Sequence, residues 1–222
     1  FNSGKAAIGT GAYKFVSWAP GDRLQLVRNE EFWGPKPDFD RVTMRFISND
    51  AARVAALLSD SVDVIDLVPP ADLPKLKKDP NIRIHETATV RLVYLALNQR
   101  RPPPFVTDEK GKPLGNNPFN DARVRKALSL MIDRKGLVSR ILQGSGEAAV
   151  QLVPPGVFGY SPALKVPAVD LKEARRLLTE AGYANGFGVT LHGSNDRFLL
   201  DREITQAIGQ FLIGSGSTKG FV

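Results

Sequence analysis

Apolar residues recur at spacings of three and four in three stretches of the chain, which is the pattern of helices with one buried face. The clearest stretch runs from Asp121 to Asp133, with Arg and Lys on the opposite face. Asp170 is placed to cap a second helix, Leu171 to Ala181, and a third helix is predicted from Leu199 to Ile213. The inward residues of the first two helices are Val124, Ala127, Leu128, Met131, Ile132, Ala174, Leu177 and Leu178.

Strict alternation of apolar and polar residues predicts β-strands in the first part of the chain. Residues 12 to 28 form two strands in this interpretation, joined by the hairpin turn Ala19-Pro20-Gly21-Asp22. A third strand covers Val42 to Ile47. Asn49 or Asp50 then caps a short helix.

Four more strands are predicted: Val62 to Leu67, Ile82 to Thr87, Arg91 to Leu97 and Val189 to His192. Strands that alternate with helices favour an α/β layer. Ligands in such folds collect beyond the carboxyl ends of strands.

Two strand ends therefore become candidate ligand sites. The loop after Leu67 contains Val68, Pro69 and Pro70, and proline cannot continue a strand ladder. Asn98 directly follows another strand. In the alternative interpretation, Asp63 and Asp66 are simply carboxylates near the end of a strand.

The sequence Asn195-Asp196-Arg197 lies between a predicted strand and a predicted helix. An arginine in that position can pair bidentately with a substrate carboxylate, and the nearby helix N-terminus also favours an anion. The alternative is structural. Asp196 would cap the helix and Arg197 would pair with Asp201 four residues later.

Three segments have the composition of loops. Residues 101 to 118 are rich in proline and glycine, which predicts an exposed connector. Gln151 to Tyr160 is irregular and apolar and contains Phe158. Residues 214 to 222 are small, polar and glycine-rich, which predicts a flexible tail.

The net charge of the chain is +7, from 30 basic and 23 acidic residues among 222. The basic residues are scattered singly, so the clustered basic face of a nucleic-acid-binding protein is missing. The chain has no cysteine, which is compatible with an oxidising compartment.

Candidate catalytic chemistry is sparse. The two histidines, His85 and His192, lie in or at the end of predicted strands, where structural or solvated roles are expected. No catalytic, phosphate-binding or calcium-binding motif is present in the sequence. We therefore expect no enzyme activity, no cofactor and no metal site.

Four collinear blocks of the chain resemble the family 5 extracellular solute-binding proteins, the binding components of dipeptide, oligopeptide and nickel ABC importers. The most specific block is YLALNQRRPPPF followed by FNDARVRKALSLMIDRKGLV. The other three blocks extend from Gly9 to Gly34, from Arg53 to Pro80 and from Lys172 to Phe198.

This resemblance implies an α/β fold of the type II periplasmic-binding-protein kind, in which two lobes are joined by a hinge crossing. Residues 1–97 would belong to one lobe, residues 98–213 to the other, and residues 214–222 to an atypical tail. The resemblance also implies that Phe158 lies in a loop facing the cleft, and that a basic residue in the loop matching Asn195-Asp196-Arg197 binds the ligand carboxylate.

By the same resemblance, the partners would be a peptide or similar small solute and an inner-membrane ABC permease. The location would be the periplasm, with the export signal outside this sequence. We expect the chain to be an internal fragment that is incomplete relative to the family. The alternative is a vestigial fragment that binds no solute and self-associates as a homo-oligomer.

Overall fold

The structure is a computed structural model that describes residue 4 and residues 7–87, 89–100, 105–195 and 197–214. The chain divides between Val68 and Pro69 into two compact units. The predicted lobe boundary after Leu97 concerns the lobes of the family and stays a prediction.

The first unit contains a three-stranded antiparallel sheet in the order β1 (Tyr13–Ala19), β2 (Arg23–Arg28) and β3 (Arg41–Arg45). The predicted hairpin turn is confirmed, since the Asp22 N–H donates to the Ala19 carbonyl over 3.1 Å. An irregularity in register between Phe15 and Ser17 interrupts the β1–β2 pairing. The cross-strand register places six residues on one apolar face: Phe15, Trp18, Leu24, Leu26, Val42 and Met44.

Helix α1 (Asp50–Leu58) follows the sheet and buries Val54 and Ala56. Asn49 caps it as predicted, with its side-chain oxygen accepting from the Ala52 N–H over 2.9 Å. Unit 2 then begins with the single turn α2 (Leu73–Leu76).

The largest buried cluster is built in the second unit by α3 (Ala122–Met131) and α5 (Leu171–Glu180). Asp170 caps α5 as predicted, and Asp121 caps α3 in the same way, each accepting a backbone N–H. The Arg123 guanidinium at the start of α3 donates to the Glu180 carbonyl at the end of α5. Asp170, before α5, donates its N–H to Leu130, so the two helices run antiparallel.

A short helix, α4 (Arg134–Gly136), follows α3 and continues into a wider π-helical segment, Leu137–Ile141. The last helix, α6 (Asp201–Gly214), contributes Leu212 to the core. Gly214, predicted to begin the tail, is instead the last residue of α6, and residues 215–222 lie outside the described part of the chain.

A small sheet of β4 (Val106–Thr107) and β5 (Gly188–Val189) closes one side of this core. Next to β5, Phe187 is buried and makes edge-on ring contacts with Phe119 and Tyr183, at centroid distances of 5.9 and 5.2 Å. The 3₁₀ turn Pro118–Asn120 carries Phe119 into the cluster. The sequence pattern predicted no strand at β4, which falls in the proline-rich connector.

Three predicted strands are wrong for the described residues. Residues 62–67, 82–87 and 91–97 have no ladder partner, and the strand predicted from Val189 to His192 shrinks to the pair Gly188–Val189. A strand needs hydrogen bonds to a neighbour, whereas alternation reports only an extended, half-apolar segment. Val64 in the first of these segments is 83% exposed.

The segment at 62–67 is held by a side chain in place of a ladder. The Arg53 guanidinium, only 11% exposed, donates to the carbonyls of Asp66 and Leu67 over 3.1 and 2.8 Å. It also donates to the Ile47 carbonyl and pairs with Asp50 over 2.7 Å. Through Arg53, helix α1 is therefore hydrogen-bonded both to Ile47, which precedes the helix, and to Asp66 and Leu67, which follow it.

No helix within the described ranges combines the length and the apolar character that crossing a bilayer requires.

Truncating a buried side chain in the core between α3 and α5 should lower the stability of the fold. Leu178→Ala removes a side chain that is 1% exposed and should lower the free energy of unfolding by about 2 to 5 kcal/mol, because a cavity replaces packed atoms. Leu171→Ala on the same helix removes a 38% exposed side chain and should stay within about 1 kcal/mol. Urea denaturation followed by circular dichroism measures both, and equal losses would contradict the assigned core.

Candidate functional site

The loop before α6 carries the candidate residues Asn195 and Arg197, and one buried carboxylate holds it in place. The backbone N–H groups of Arg197 and Phe198 both donate to Oδ2 of Asp201 over 3.1 Å. Oδ1 of Asp201 accepts the Arg202 N–H over 2.8 Å. Asp201 is 7% exposed, so this carboxylate is built into the loop as its anchor.

The charge of Asp201 is stabilised where it lies. Burial alone would raise its pKa, but hydrogen bonds from the Ser194 side chain and from nearby backbone N–H groups outweigh that cost. The pKa of Asp201 is therefore held below its usual range. A carboxylate that stays ionised keeps the loop fixed at neutral pH.

The same loop passes close to α6 at Gly193. A Cβ on Gly193 would lie 2.3 Å from Oγ1 of Thr205, whose hydroxyl donates to the Asp201 carbonyl over 2.8 Å. Only glycine allows this approach without a shift of the threonine.

The loop presents Arg197 to solvent against an aromatic ring. The Arg197 guanidinium carbon lies 5.1 Å from the centroid of Phe198, and the corresponding carbon of Arg91 lies 5.7 Å from the same centroid. Both distances are within the range of cation–π attraction. The contact with Asp201 is made by the Arg197 backbone, so the side-chain pairing considered from the sequence is not what the structure shows. Asn195 is exposed, and Asp196 lies outside the described residues.

Asn98 is exposed, and its backbone is held by a neighbour that the sequence pattern did not single out. Asn117 is 5% exposed and donates its amide to the carbonyls of Asn98 and Arg100, each over 2.8 Å. Its side-chain oxygen accepts the Phe119 N–H over 3.0 Å. The Asn98 side-chain oxygen accepts the Arg100 N–H, which closes a local turn.

The residues predicted to line a cleft after Leu67 differ in exposure. Pro69 and Pro70 are buried, and their carbonyls accept N–H groups from Asp72 and Leu73 at the start of α2. Val68 is partly exposed. Burial leaves the two proline rings little surface for a ligand, and a role for these three residues stays a prediction.

Phe158 is fully exposed, on a loop whose shape is fixed by hydrogen bonds. The Gln151 amide donates to the Ser161 carbonyl and accepts the Ser161 N–H, at 2.9 and 3.0 Å, which ties the loop at its base. The Tyr160 N–H donates to the Val157 carbonyl. No hydrogen bond or ring contact among the described residues connects Phe158 to the loop before α6, so their participation in one site stays a prediction.

An open depression of about 580 Å³ lies elsewhere in unit 2 and contains none of the predicted site residues. Its lining includes the hydrogen-bonded pair Asn116 and Tyr183, 3.0 Å apart, and the pKa of Tyr183 is raised mainly by burial. Asp108, which also lines it, accepts the N–H groups of Lys110 and Lys112 and so closes a local turn.

Groups that could bind a metal do not gather within the described ranges. No three side chains of His, Asp or Glu approach each other there as a metal would require. The His192 ring contacts the Phe105 ring in a tilted arrangement, with the centroids 5.1 Å apart.

Sequence reasoning considered Asp201 only as an ion-pair partner of Arg197, and it missed Asn117 and Arg91 as residues that shape this region. Asp201 carried a further signal, since an acid in the first turn of a predicted helix is a candidate for binding backbone N–H groups. Asn117 carried a weak signal, since an Asn-Pro pair favours a turn and its side-chain oxygen accepts the nearby Phe119 N–H. Arg91 carried none, because Phe198 is distant in the sequence.

The anchoring role of Asp201 predicts a pH-dependent stability. Asp201→Asn should lower the free energy of unfolding at pH 7 by about 1.5 to 3 kcal/mol, because charge-assisted hydrogen bonds are lost. The folded pKa is the lower one, so the carboxylate stabilises the fold above the unfolded pKa of about 3.9 and loses this effect as the pH falls through the folded value. The difference from wild type should therefore shrink at acidic pH.

Urea titrations between pH 7 and pH 3 measure this difference, and Glu203→Gln is the control. Glu203 is an exposed acid in the same helical turn, and its replacement should change stability by no more than about 0.5 kcal/mol. A difference between Asp201→Asn and wild type that stays constant over this range would contradict the anchoring role.

Comparisons with known proteins give the family of the chain. The profile of the family "Bacterial extracellular solute-binding proteins, family 5 Middle" matches residues 1–212. Heme-binding protein A of Haemophilus influenzae is 29% identical over 180 residues, which are 81% of this chain and 30% of that protein. The dipeptide-binding protein of Escherichia coli is 27% identical over 184 residues, which are 83% of this chain and 32% of that protein.

A solved structure agrees with the sequence comparisons. The ABC transporter-associated periplasmic binding protein DppA from Helicobacter pylori, in complex with peptide STSA, superposes with a TM-score of 0.76 at 29% identity. The match covers 96% of this chain and 38% of that one, so the chain spans about a third of the length of the relatives. The chain belongs to the bacterial extracellular solute-binding proteins of family 5, and its fold is that of part of a type II periplasmic binding protein.

Proposed function

We propose that the chain is part of the substrate-binding component of an ABC importer, and that it binds a peptide or a similar small solute between two lobes for delivery to a membrane permease. The family supports this proposal, since its members named above include peptide-binding proteins of ABC transport systems. The proposed location is the periplasm. The proposed role is binding without chemical change of the solute.

The observation that carries the proposal is the placement of Arg197. Asp201 holds its loop in place, its guanidinium carbon lies over the Phe198 ring at 5.1 Å from the centroid, and no carboxylate of the described residues forms an ion pair with it. A guanidinium attracted to a ring in this way keeps N–H groups for bidentate hydrogen bonds to a carboxylate. We assign Arg197 to the ligand carboxylate, with Asn195 and Asp196 beside it in the same loop.

The other residues of the proposed site have weaker support. Phe158 offers a fully exposed ring that can pack on a ligand side chain, and Val68 and Asn98 are at least partly exposed. Pro69 and Pro70 would act through the backbone of the loop that they form, since both rings are buried.

Calorimetric titration of the chain with a dipeptide such as Ala-Ala tests the proposal. Arg197→Gln should weaken binding by about 1.5 to 3 kcal/mol, because a charged hydrogen-bonding partner of the ligand is lost. Arg202→Gln removes the same charge from an exposed position on α6 and should leave the affinity within about 0.5 kcal/mol. Equal affinities of the two variants would remove Arg197 from the site.

A second candidate function is self-association without solute binding. Large apolar side chains are extensively exposed in the described residues, including Ile8, Trp33, Val64 and Phe158. Exposed apolar surface favours pairing between chains. Light scattering discriminates the two functions: a monomer that binds Ala-Ala with micromolar affinity contradicts this alternative, and an oligomer without measurable affinity favours it.

A further inference from the structure

Two arginines from distant parts of unit 2 contact one aromatic ring. The guanidinium carbons of Arg91 and Arg197 lie 5.7 and 5.1 Å from the centroid of Phe198. Both distances are measured to the same centroid. The two guanidinium carbons therefore lie no farther apart than the sum of the two distances. Arg91 comes from an exposed segment that forms no strand, and Arg197 comes from the loop pinned by Asp201.

The positive charge of this pair is not compensated within the described residues. Other arginines of the chain, such as Arg53, Arg123 and Arg176, form ion pairs with acids at 2.6 to 2.7 Å. Neither Arg91 nor Arg197 forms such a pair with a described carboxylate. The oxygens of Asp201, the nearest described acid along the sequence, are occupied by backbone N–H groups.

The Phe198 ring explains how two positively charged guanidinium groups can lie close together. Each guanidinium is attracted to the π-electrons of Phe198, and a guanidinium that contacts a ring keeps its N–H edges for hydrogen bonding. Arg91 and Arg197 therefore offer a ligand two sets of paired N–H donors, called forks here. Each fork matches the geometry of one carboxylate.

We propose that Arg91 is a second cationic anchor beside Arg197, and that the site of Arg91, Phe198 and Arg197 selects a ligand end bearing two carboxylates, such as a peptide with a C-terminal acidic residue. This inference rests on the proposed function, in which Arg197 binds the ligand carboxylate. Arg197 takes the carboxylate common to all peptides. Arg91 takes the second carboxylate and so sets specificity.

The test compares alanyl-glutamate with its neutral isostere alanyl-glutamine by calorimetry. Wild type should bind alanyl-glutamate about tenfold more tightly, the effect of roughly one added charged hydrogen-bonded pair. Arg91→Gln should abolish that preference and leave the affinity for alanyl-glutamine unchanged. Arg91→Lys keeps the charge without the fork and should retain part of the preference. Arg202→Gln, the charge-matched control, should retain all of it.

The inference is overturned if Arg91→Gln weakens the binding of both peptides equally, or if it weakens the binding of neither. A preference for alanyl-glutamate that survives in this variant also overturns it. Circular dichroism of each variant establishes that the fold is kept, and Arg91→Lys decides the matter if Arg91→Gln does not fold.

A second probe separates this inference from the proposed function. Glutarate and its monoamide are titrated into the chain while the Nε–Hε resonances of Arg91 and Arg197, assigned from the variants, are followed by nuclear magnetic resonance. Glutarate should shift both resonances, and the monoamide mainly that of Arg197. If neither peptide binds but glutarate shifts both, the dicarboxylate site stands and the proposed peptide function fails. If glutarate shifts only one resonance or neither, the inference is wrong.

Discussion

The apolar faces of α3 and α5 must be removed from water together, and this constraint organises unit 2. Leu128 and Met131 on one helix and Leu177 and Leu178 on the other form one buried cluster. Two polar links, from Arg123 to the end of α5 and from Asp170 to Leu130, fix the antiparallel direction of the pair. Burial supplies the free energy, and the polar links select the arrangement.

Other elements are positioned by that helix pair. Phe187 is buried in the same cluster and directly precedes β5. This places β5, and β4 paired with it, next to the core. Leu212 brings α6 to the same cluster. The loop that carries Arg197 lies between β5 and α6, so both of its ends are positioned by elements that pack on this core.

Irregular segments in this chain are held by single polar side chains where regular ladders are missing. Arg53 satisfies the carbonyls of Asp66 and Leu67, and Asn117 those of Asn98 and Arg100. Asp201 accepts the N–H groups of Arg197 and Phe198 in the loop before α6. All three side chains are largely buried, so each would leave several backbone groups unsatisfied if it were replaced. The charges of Arg91 and Arg197 contrast with these, because both guanidinium groups contact the Phe198 ring and neither forms an ion pair with a described carboxylate.

The sequence by itself determined helices α1, α3, α5 and α6, the caps at Asn49 and Asp170, and the hairpin. These depend on residues close together in the chain, such as the three- and four-residue spacing around Leu128 and the acceptors Asn49 and Asp170. The blocks resembling family 5 solute-binding proteins also fixed the family. The loop containing Asn195 and Arg197 was located because it separates two such local patterns.

Tertiary structure alone decided the strands and the polar anchors. Residues 62–67, 82–87 and 91–97 are extended and partly apolar, as the alternation indicates, yet a strand exists only where another segment supplies the hydrogen bonds. Strand β4 shows the converse, since it pairs with β5 beside the buried Val106 and Phe187 although its own segment has no strand pattern. The meeting of Arg91 with Phe198 likewise depends on two segments far apart in the chain, and local periodicity carries no information about such a contact.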